Sequence, residues 1–199
     1  VYNMNLLKKI YNFLVIKVSI ILYGYIRGLG LNVSGNIIVK EHVVIGDYST
    51  LLTSDNGEII INEGSSIGRD SWIASGSGKI IIGSQCLFGP RVTIVAQNHA
   101  LKDISENKYL PWDLDEEAID TYIGSRCHIG ANVTIVPGVK IGDYSVIGAN
   151  SIVTKSFEKG SVIAGCPAKL LKSKTVPNNI PKYNNTIPPY INTSRRFWS

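Results

Sequence analysis

Residues Ile123 to Lys169 read IGSRCHIGANVTIVPGVKIGDYSVIGANSIVTKSFEKGSVIAGCPAK. An aliphatic residue returns at every sixth position, at Ile123, Ile129, Ile135, Ile141, Ile147 and Val153, and glycine follows it in four of the six. A period of six matches neither a heptad nor an 11-residue helical repeat; it suits a solenoid whose triangular coils consist of three short flat strands. Two positions before each later aliphatic residue stands a small or slender one: Cys127, Val133, Val139, Ser145 and Ser151. Strand side chains alternate between faces, so both sets point inward and the residue between them points out. Glycine or another turn-tolerant residue after the aliphatic one permits the bend into the next face. The expectation is a narrow, stacked, all-β prism.

Working outward toward the N-terminus, the same beat runs at Val33, Val39, Ile45 and Leu51, slips at SDNGE, and resumes at Ile61, Ile67 and Ile73. It slips again at SGSGK and returns at Ile82, Phe88 and Ile94. Both slips read as short loops or bulges within one domain. A third interruption, residues 100–122, holds seven acidic residues, Pro111 and Trp112. A polar excursion of that length in a tight solenoid is costly in ordering entropy unless it is packed or used, so it reads as a functional loop. After Val153 the beat ends, and residues 173–199, with four prolines, read as an extended tail.

Residues 1–32 form a separate N-terminal segment whose stretch 3–27 is the most apolar in the chain and reads as helix. Lys8, Lys9 and Lys17 break the uncharged run that a membrane-spanning helix needs. The segment is expected to pack on the coil or a neighbouring subunit, with peripheral membrane contact as the alternative. No small-residue cleavage site of a signal peptide follows it. The repeat domain is then 33–172.

With 199 residues, 18% charged and 44% hydrophobic, the chain suits one domain with a continuous aliphatic interior. Its net charge of +5 comes from dispersed Lys and Arg without a nucleic-acid-binding signature, so no nucleic-acid partner is expected. Three cysteines without CxxC spacing provide neither a zinc site nor a disulfide framework. Cys86 and Cys127 fall at the small inward position and read as buried thiols, and Cys166 sits in a Gly-Cys-Pro turn. A reducing cytoplasm is the simplest compartment.

The segments IGANVTIVPGVKIGDYSVIGANSIVTK and VIAGCPAKLLK resemble the hexapeptide-repeat acyltransferases. The branch is that of maltose, galactoside, serine and xenobiotic acetyltransferases and of O-acetyltransferases acting on bacterial surface polysaccharides. The resemblance covers about Val33 to Lys172 and implies a left-handed parallel β-helix, a handedness that the period alone does not provide. It also implies a homotrimer with active sites between subunits and acetyl-coenzyme A as co-substrate. The function implied is acetyl transfer to a hydroxyl of a sugar, in a capsule or O-antigen polysaccharide or its precursor; the expected location is the cytoplasm, with the inner face of the membrane as the alternative if the N-terminal segment contacts it. An N-acyltransferase acting on a nucleotide-linked amino sugar, and a non-catalytic structural β-helix, are the alternatives.

Acyl transfer to a hydroxyl needs a base, donors for the developing oxyanion and alignment of both substrates. Histidine is the natural base near neutral pH. His99 closes a hexapeptide at the mouth of the long loop, after LFGPRVTIVAQNH, where the family carries its catalytic histidine; His42 has no comparable loop. His128 stands in CHIG where relatives carry Trp in VWIG, so the shape of the acceptor pocket is expected to differ there. An acidic partner for His99 is sought among Asp103, Asp113 and Asp115, or in a backbone carbonyl. By resemblance, Ala131 and Ala149 meet the pantetheine arm, Thr154 and Lys155 flank the nucleotide end, and Lys169 and Lys172 meet phosphate. Trp72, Ser75, Ser77, Asn98, Tyr109 and Trp112 are acceptor-side candidates, and the three histidines lack the spacing of a metal site.

Overall fold

The structure is a computed structural model that describes residues 30–54, 56–99 and 116–176. The chain winds through three parallel sheets in turn, one short strand per sheet per coil. Face one contains Asn32–Ser34, Thr50–Thr53, Trp72–Gly76, Thr93–Val95, Thr134–Ile135 and Ile152–Val153. Face two contains Ile37–Val39, Glu58–Ile61, Lys79–Ile82, Thr121–Ile123 and Lys140–Ile141. Face three contains Val44–Ile45, Ser66–Ile67, Leu87–Phe88, His128–Ile129, Val146–Ile147 and Ser161–Gly165. No helix occurs among the described residues, and none there is long and apolar enough to cross a membrane. The candidate N-terminal helix lies outside the described residues.

Alternation dictates the interior. The register stacks Leu51 on Ile73, Ile73 on Ile94, Ile94 on Ile135 and Ile135 on Val153. All five are fully buried. The other two faces carry equivalent columns, such as Ile59 on Ile80 and Ile129 on Ile147. Each fully buried isoleucine contributes roughly 1.5–3 kcal/mol, and the columns leave no inward position for a polar group without a partner.

The small inward positions resolve that constraint with hydroxyls and thiols. Ser71, Ser145, Ser151 and Ser161 each donate to the carbonyl three residues back, at Gly68 (2.7 Å), Gly142 (2.7 Å), Gly148 (2.6 Å) and Glu158 (2.6 Å). A buried carbonyl at each bend is thereby satisfied. Cys86 and Cys127 occupy the same kind of place, their Sγ atoms lying 3.0 Å from Gly124 O and 3.3 Å from Gly142 O. Both thiols are buried, and Cys166 is exposed.

The bends use left-handed backbone at non-glycine residues. Tyr48, Asp70, Arg91, Asn132 and Asn150 form one column, and His42, Gln85, Arg126 and Tyr144 another, with φ of 56–58°. This conformation is uncommon for such side chains. Its return is an amide aimed along the stack: Arg91 N donates to Arg69 O, Asn132 N to Pro90 O and Asn150 N to Ala131 O, at 2.8–2.9 Å. Asparagine side chains reinforce the column, Arg91 Nε donating to Asn132 Oδ1 (2.6 Å) and Asn132 Nδ2 to Asn150 Oδ1 (3.0 Å).

The six-residue beat stops after Val153 while the prism goes on: Phe157 bridges to Ile141 on face two, and Ser161–Gly165 extends face three with Ile163 fully buried. Phe157 stands four positions after Val153, so the six-residue beat breaks while the coil persists. Ala168–Ser173 then folds back antiparallel on Ser161–Gly165, so the strand runs to Ser173 before the tail. At the long insertion, face two resumes at Thr121. Residues 100–115 and 177–199 lie outside the described residues.

Candidate active site

The insertion leaves the prism at the corner between faces one and two. Its root is a two-stranded antiparallel ribbon, Gln97–His99 against Glu116–Ala118, with His99 across from Glu116 and Asn98 across from Glu117. His99 is therefore the last residue of a strand that the coil below holds in place. Gln97 Oε1 accepts the Ser77 N–H at 2.9 Å. The Gln97 side chain occupies the space that a Cβ on Gly76 would need, and Gly76 has φ of 54°, so only glycine serves there.

The returning strand is tied as firmly. Ile119 N donates to Ala96 O at 3.0 Å, and buried Thr121 Oγ1 donates to Val95 O at 2.9 Å. Asp120 accepts from Lys79 N (2.9 Å) and from Tyr122 OH (3.0 Å). That hydrogen bond to the carboxylate pushes the Tyr122 phenol above its ordinary pKa. A reacting group carried on such a root sits on rigid structure rather than on the loop itself.

The coenzyme candidates lie elsewhere on the prism. Gly130-Ala131 and Gly148-Ala149 stack at the corner between faces three and one. A Cβ on Gly130 would meet Ala149 N at 2.5 Å and its Cα at 2.8 Å, so the coils are in backbone contact there. The corner carries nothing larger than a methyl at these four positions, a surface that a slender polar chain can follow closely. His128 is exposed on face three just before this corner, between Leu87 and Val146 in register. Thr154 and Lys155 are exposed at the other corner, between faces one and two, in the last coil. Lys169 and Lys172 are exposed on Ala168–Ser173.

Within one chain Thr154 and Lys155 share the corner of the His99 root, two coils on, while the Ala131–Ala149 corner does not meet it. The root of His99 and the Ala131–Ala149 corner are separated by the width of face one, about 15 Å at ~3.3 Å per strand residue. On that face Trp72 is 48% exposed between Thr50 and Thr93. Asn98 is exposed on the ribbon and Ser77 is half-buried under Gln97. Ser75 is a correction: it is fully buried and donates to Gly76 O at 3.2 Å, because the five-residue strand Trp72–Gly76 extends the inward alternation of Ile73 by one step. It therefore offers no surface to an acceptor. Tyr109, Trp112, Asp103, Asp113 and Asp115 lie outside the described residues. Sequence reasoning did not find Gln97, Gly76 or Asp120, whose roles depend on which residues stack one coil apart.

A family model described as bacterial transferase hexapeptide (six repeats) matches residues 120–155. The putative lipopolysaccharide biosynthesis O-acetyl transferase WbbJ of Escherichia coli strain K12 is 32% identical over 156 residues, covering 74% of this chain and 68% of that protein. The chain belongs to the hexapeptide-repeat acyltransferases. As a member of that family it is an acetyltransferase. The crystal structure of the polySia-specific acetyltransferase NeuO aligns with a TM-score of 0.54 at 28% identity, over 79% of this chain and 74% of that one. AntD, an N-acyltransferase from Bacillus cereus solved with dTDP and 3-hydroxybutyryl-CoA, aligns with a TM-score of 0.59 at 22% identity over 87% and 89% of the two chains, a likeness of fold. The prism is thus the left-handed parallel β-helix of these acyltransferases. Against other curated relatives that it matches, the chain spans between 43% and 61% of their length.

Proposed function

We propose that this acyltransferase moves an acetyl group from acetyl-coenzyme A to a hydroxyl of a sugar in a surface polysaccharide, capsule or O-antigen, or its precursor. His99 is the general base. The observation that carries the reading is the position of His99 on a pinned ribbon beside the long insertion, in a chain similar to a lipopolysaccharide O-acetyl transferase and to a polysialic-acid acetyltransferase. The imidazole takes the proton of the acceptor hydroxyl as its oxygen attacks the acetyl carbonyl, and returns that proton to the departing sulfur. The donor contributes an activated thioester. The chain's part is to align it, to hold the acceptor and to move the proton.

The residues fit such a donor. A slender arm can lie along Gly130-Ala131 and Gly148-Ala149, and the exposed Lys155, Lys169 and Lys172 suit its phosphates. Because that corner stands about 15 Å from the root of His99 in the same chain, a second copy must bring its corner to this ribbon. A homotrimer with three equivalent sites between subunits meets that need. Trp72, Asn98 and His128 are the acceptor-side residues of this reading, with Tyr109 and Trp112 as further candidates outside the described residues. The reaction runs on the cytoplasmic side of the membrane, where acetyl-coenzyme A is made.

The test is an acceptor screen with labelled acetyl-coenzyme A against free sugars, nucleotide-linked amino sugars and capsule or O-antigen oligosaccharides, with the His99→Ala variant beside the parent protein. Label is expected on a hydroxyl of the oligosaccharides, and His99→Ala is expected to lower turnover roughly 100-fold or more with the assembly unchanged. Label on an amino group, or near-full turnover by the variant, would overturn the corresponding half of the reading.

A further inference from the structure

The coenzyme candidates fall in order along the prism. Lys169 and Lys172 stand at its end, Ala149 and Ala131 on the two coils before it, and Pro90-Arg91 on the coil before those, where Asn132 N donates to Pro90 O at 2.9 Å. A donor whose phosphates meet the lysines and whose arm follows the alanines delivers its acetyl group beside Arg91. That coil also leads into the root of His99. We propose that Arg91 and Trp72 form an acceptor subsite that selects a sugar bearing a carboxylate, an inference that rests on the acetyl-transfer reading above.

The guanidinium is held in place through one nitrogen. Arg91 Nε donates to Asn132 Oδ1 at 2.6 Å, and Asn132 Nδ2 donates to Asn150 Oδ1 at 3.0 Å. Arginine can only donate, so it fixes which end of the Asn132 amide faces it, and Asn150 follows. Among the described residues no carboxylate pairs with Arg91; Asp70, next to it in the corner column, is bridged by Arg69 Nε at 3.0 Å. The two terminal nitrogens thus keep their donors. A guanidinium held in one orientation meets a planar carboxylate with two parallel hydrogen bonds at a reduced ordering cost.

A platform for the sugar ring lies one coil away. Trp72 N donates to Val92 O at 2.8 Å, and Trp72 is in register with Thr93, two residues after Arg91. Its side chain is exposed between the half-buried Thr50 and Thr93. An indole presents an apolar surface to a pyranose ring, and hydroxyls beside it supply the polar contacts that fix orientation. A neutral ring would leave the guanidinium edge without a matching acceptor, and a diphosphate makes no use of the indole. A ring with an attached carboxylate uses both. The net charge of +5 favours the approach of a polyanionic chain.

Binding and turnover test this separately, with the parent protein, Arg91→Lys, Arg91→Glu and Trp72→Ala. The probes are a uronic-acid oligosaccharide and a sialic-acid oligomer, each beside its carboxyl-reduced counterpart, and a nucleotide diphosphate linked to a neutral sugar. In calorimetry the parent is expected to bind at least one acidic glycan about 10-fold or more tightly than its reduced counterpart. Arg91→Glu should erase or invert that ratio, Arg91→Lys should keep part of it, and Trp72→Ala should weaken both members of the pair. In turnover, Arg91→Glu should raise KM for the acidic acceptor and leave KM for acetyl-coenzyme A in place, a split that a merely structural role does not produce. If neither acidic glycan is preferred, if Arg91→Glu keeps the preference, or if the nucleotide diphosphate is bound instead, the carboxylate subsite is refuted whether or not a sugar is acetylated. If the preference and its loss in Arg91→Glu are measured but no glycan is acetylated, the carboxylate site stands and the acetyl-transfer reading fails.

Discussion

Gln97 links the prism to His99, the proposed base, and truncating it tests whether the root sets the position of that residue. Gln97→Ala removes the acceptor of the Ser77 N–H, a 2.9 Å hydrogen bond. A neutral bond of this kind contributes about 0.5–1.5 kcal/mol net. The same substitution removes the methylenes packed over Gly76, about 1 kcal/mol more for a half-buried side chain. The sum, roughly 1.5–2.5 kcal/mol, corresponds to a fall in the thermal midpoint of roughly 3–10 °C for a domain of this size. The effect on catalysis should exceed the effect on stability, because displacing a base by ~1 Å can cost about 100-fold. We expect kcat to fall about 10- to 100-fold while KM for acetyl-coenzyme A is unchanged, the coenzyme corner lying on the far edge of face one. Scanning calorimetry and initial rates over a range of acetyl-coenzyme A give both numbers. A variant that loses the expected stability yet retains full kcat would refute the argument that this contact positions His99.

Other outcomes follow from the same geometry. Ser151→Ala leaves Gly148 O and Gly165 N without their hydroxyl partner, and should lower stability by about 1–3 kcal/mol in chemical denaturation; an unchanged midpoint would contradict the role given to the inward serines. The Cys127 thiol is pushed well above its ordinary pKa by its hydrogen bond with Cys86 and then by burial. It keeps its proton when folded but ionises near ~8.5 when unfolded. Its stabilisation is therefore complete below that pH and declines above it by about 1.4 kcal/mol per pH unit. The same contact holds Cys86 below its ordinary pKa, so the two thiols are removed together: urea unfolding between pH 7 and 10 should show that slope in the parent protein and lose it in Cys86→Ala/Cys127→Ala; parallel curves would refute it. Mixing His99→Ala with Ala149→Trp, each inactive alone, should restore turnover if base and coenzyme corner come from different copies, and should restore none if they act within one chain.

Much of the prism is legible because each inward position is a local fact: an aliphatic residue, its small neighbour two places earlier and a turn between them. Ile129, Val133 and Ile135 could be assigned inward without knowing what stacks above them, and they are buried. The parts that were not legible depend on register between coils. Gln97 and Ser77 are 20 residues apart, and no pattern within either segment announces their bond. Ser75 looked like a loop residue in SGSGK, yet the strand runs to Gly76 and turns it inward. Phe157 escaped notice because the coil there is two residues short, and a half-buried aromatic stands in for the missing aliphatic.

The division between inward and outward positions also explains where function can vary. Each inward residue is committed to the column in its own sheet, and the inward serines also to a carbonyl at the bend, so a change there propagates to neighbouring coils. Outward residues carry no such obligation. His128 is exposed between Leu87 and Val146, and no buried group of the prism depends on it. The fold therefore places no constraint on that position. His99 differs in kind: its ribbon is held by Gln97, Gly76, Ile119, Thr121 and Asp120, five residues on three strands and their connections. The geometry thus invests rigidity at the proposed base and leaves freedom at the proposed acceptor-side residue, so divergence in specificity is expected at His128 before it appears at the root.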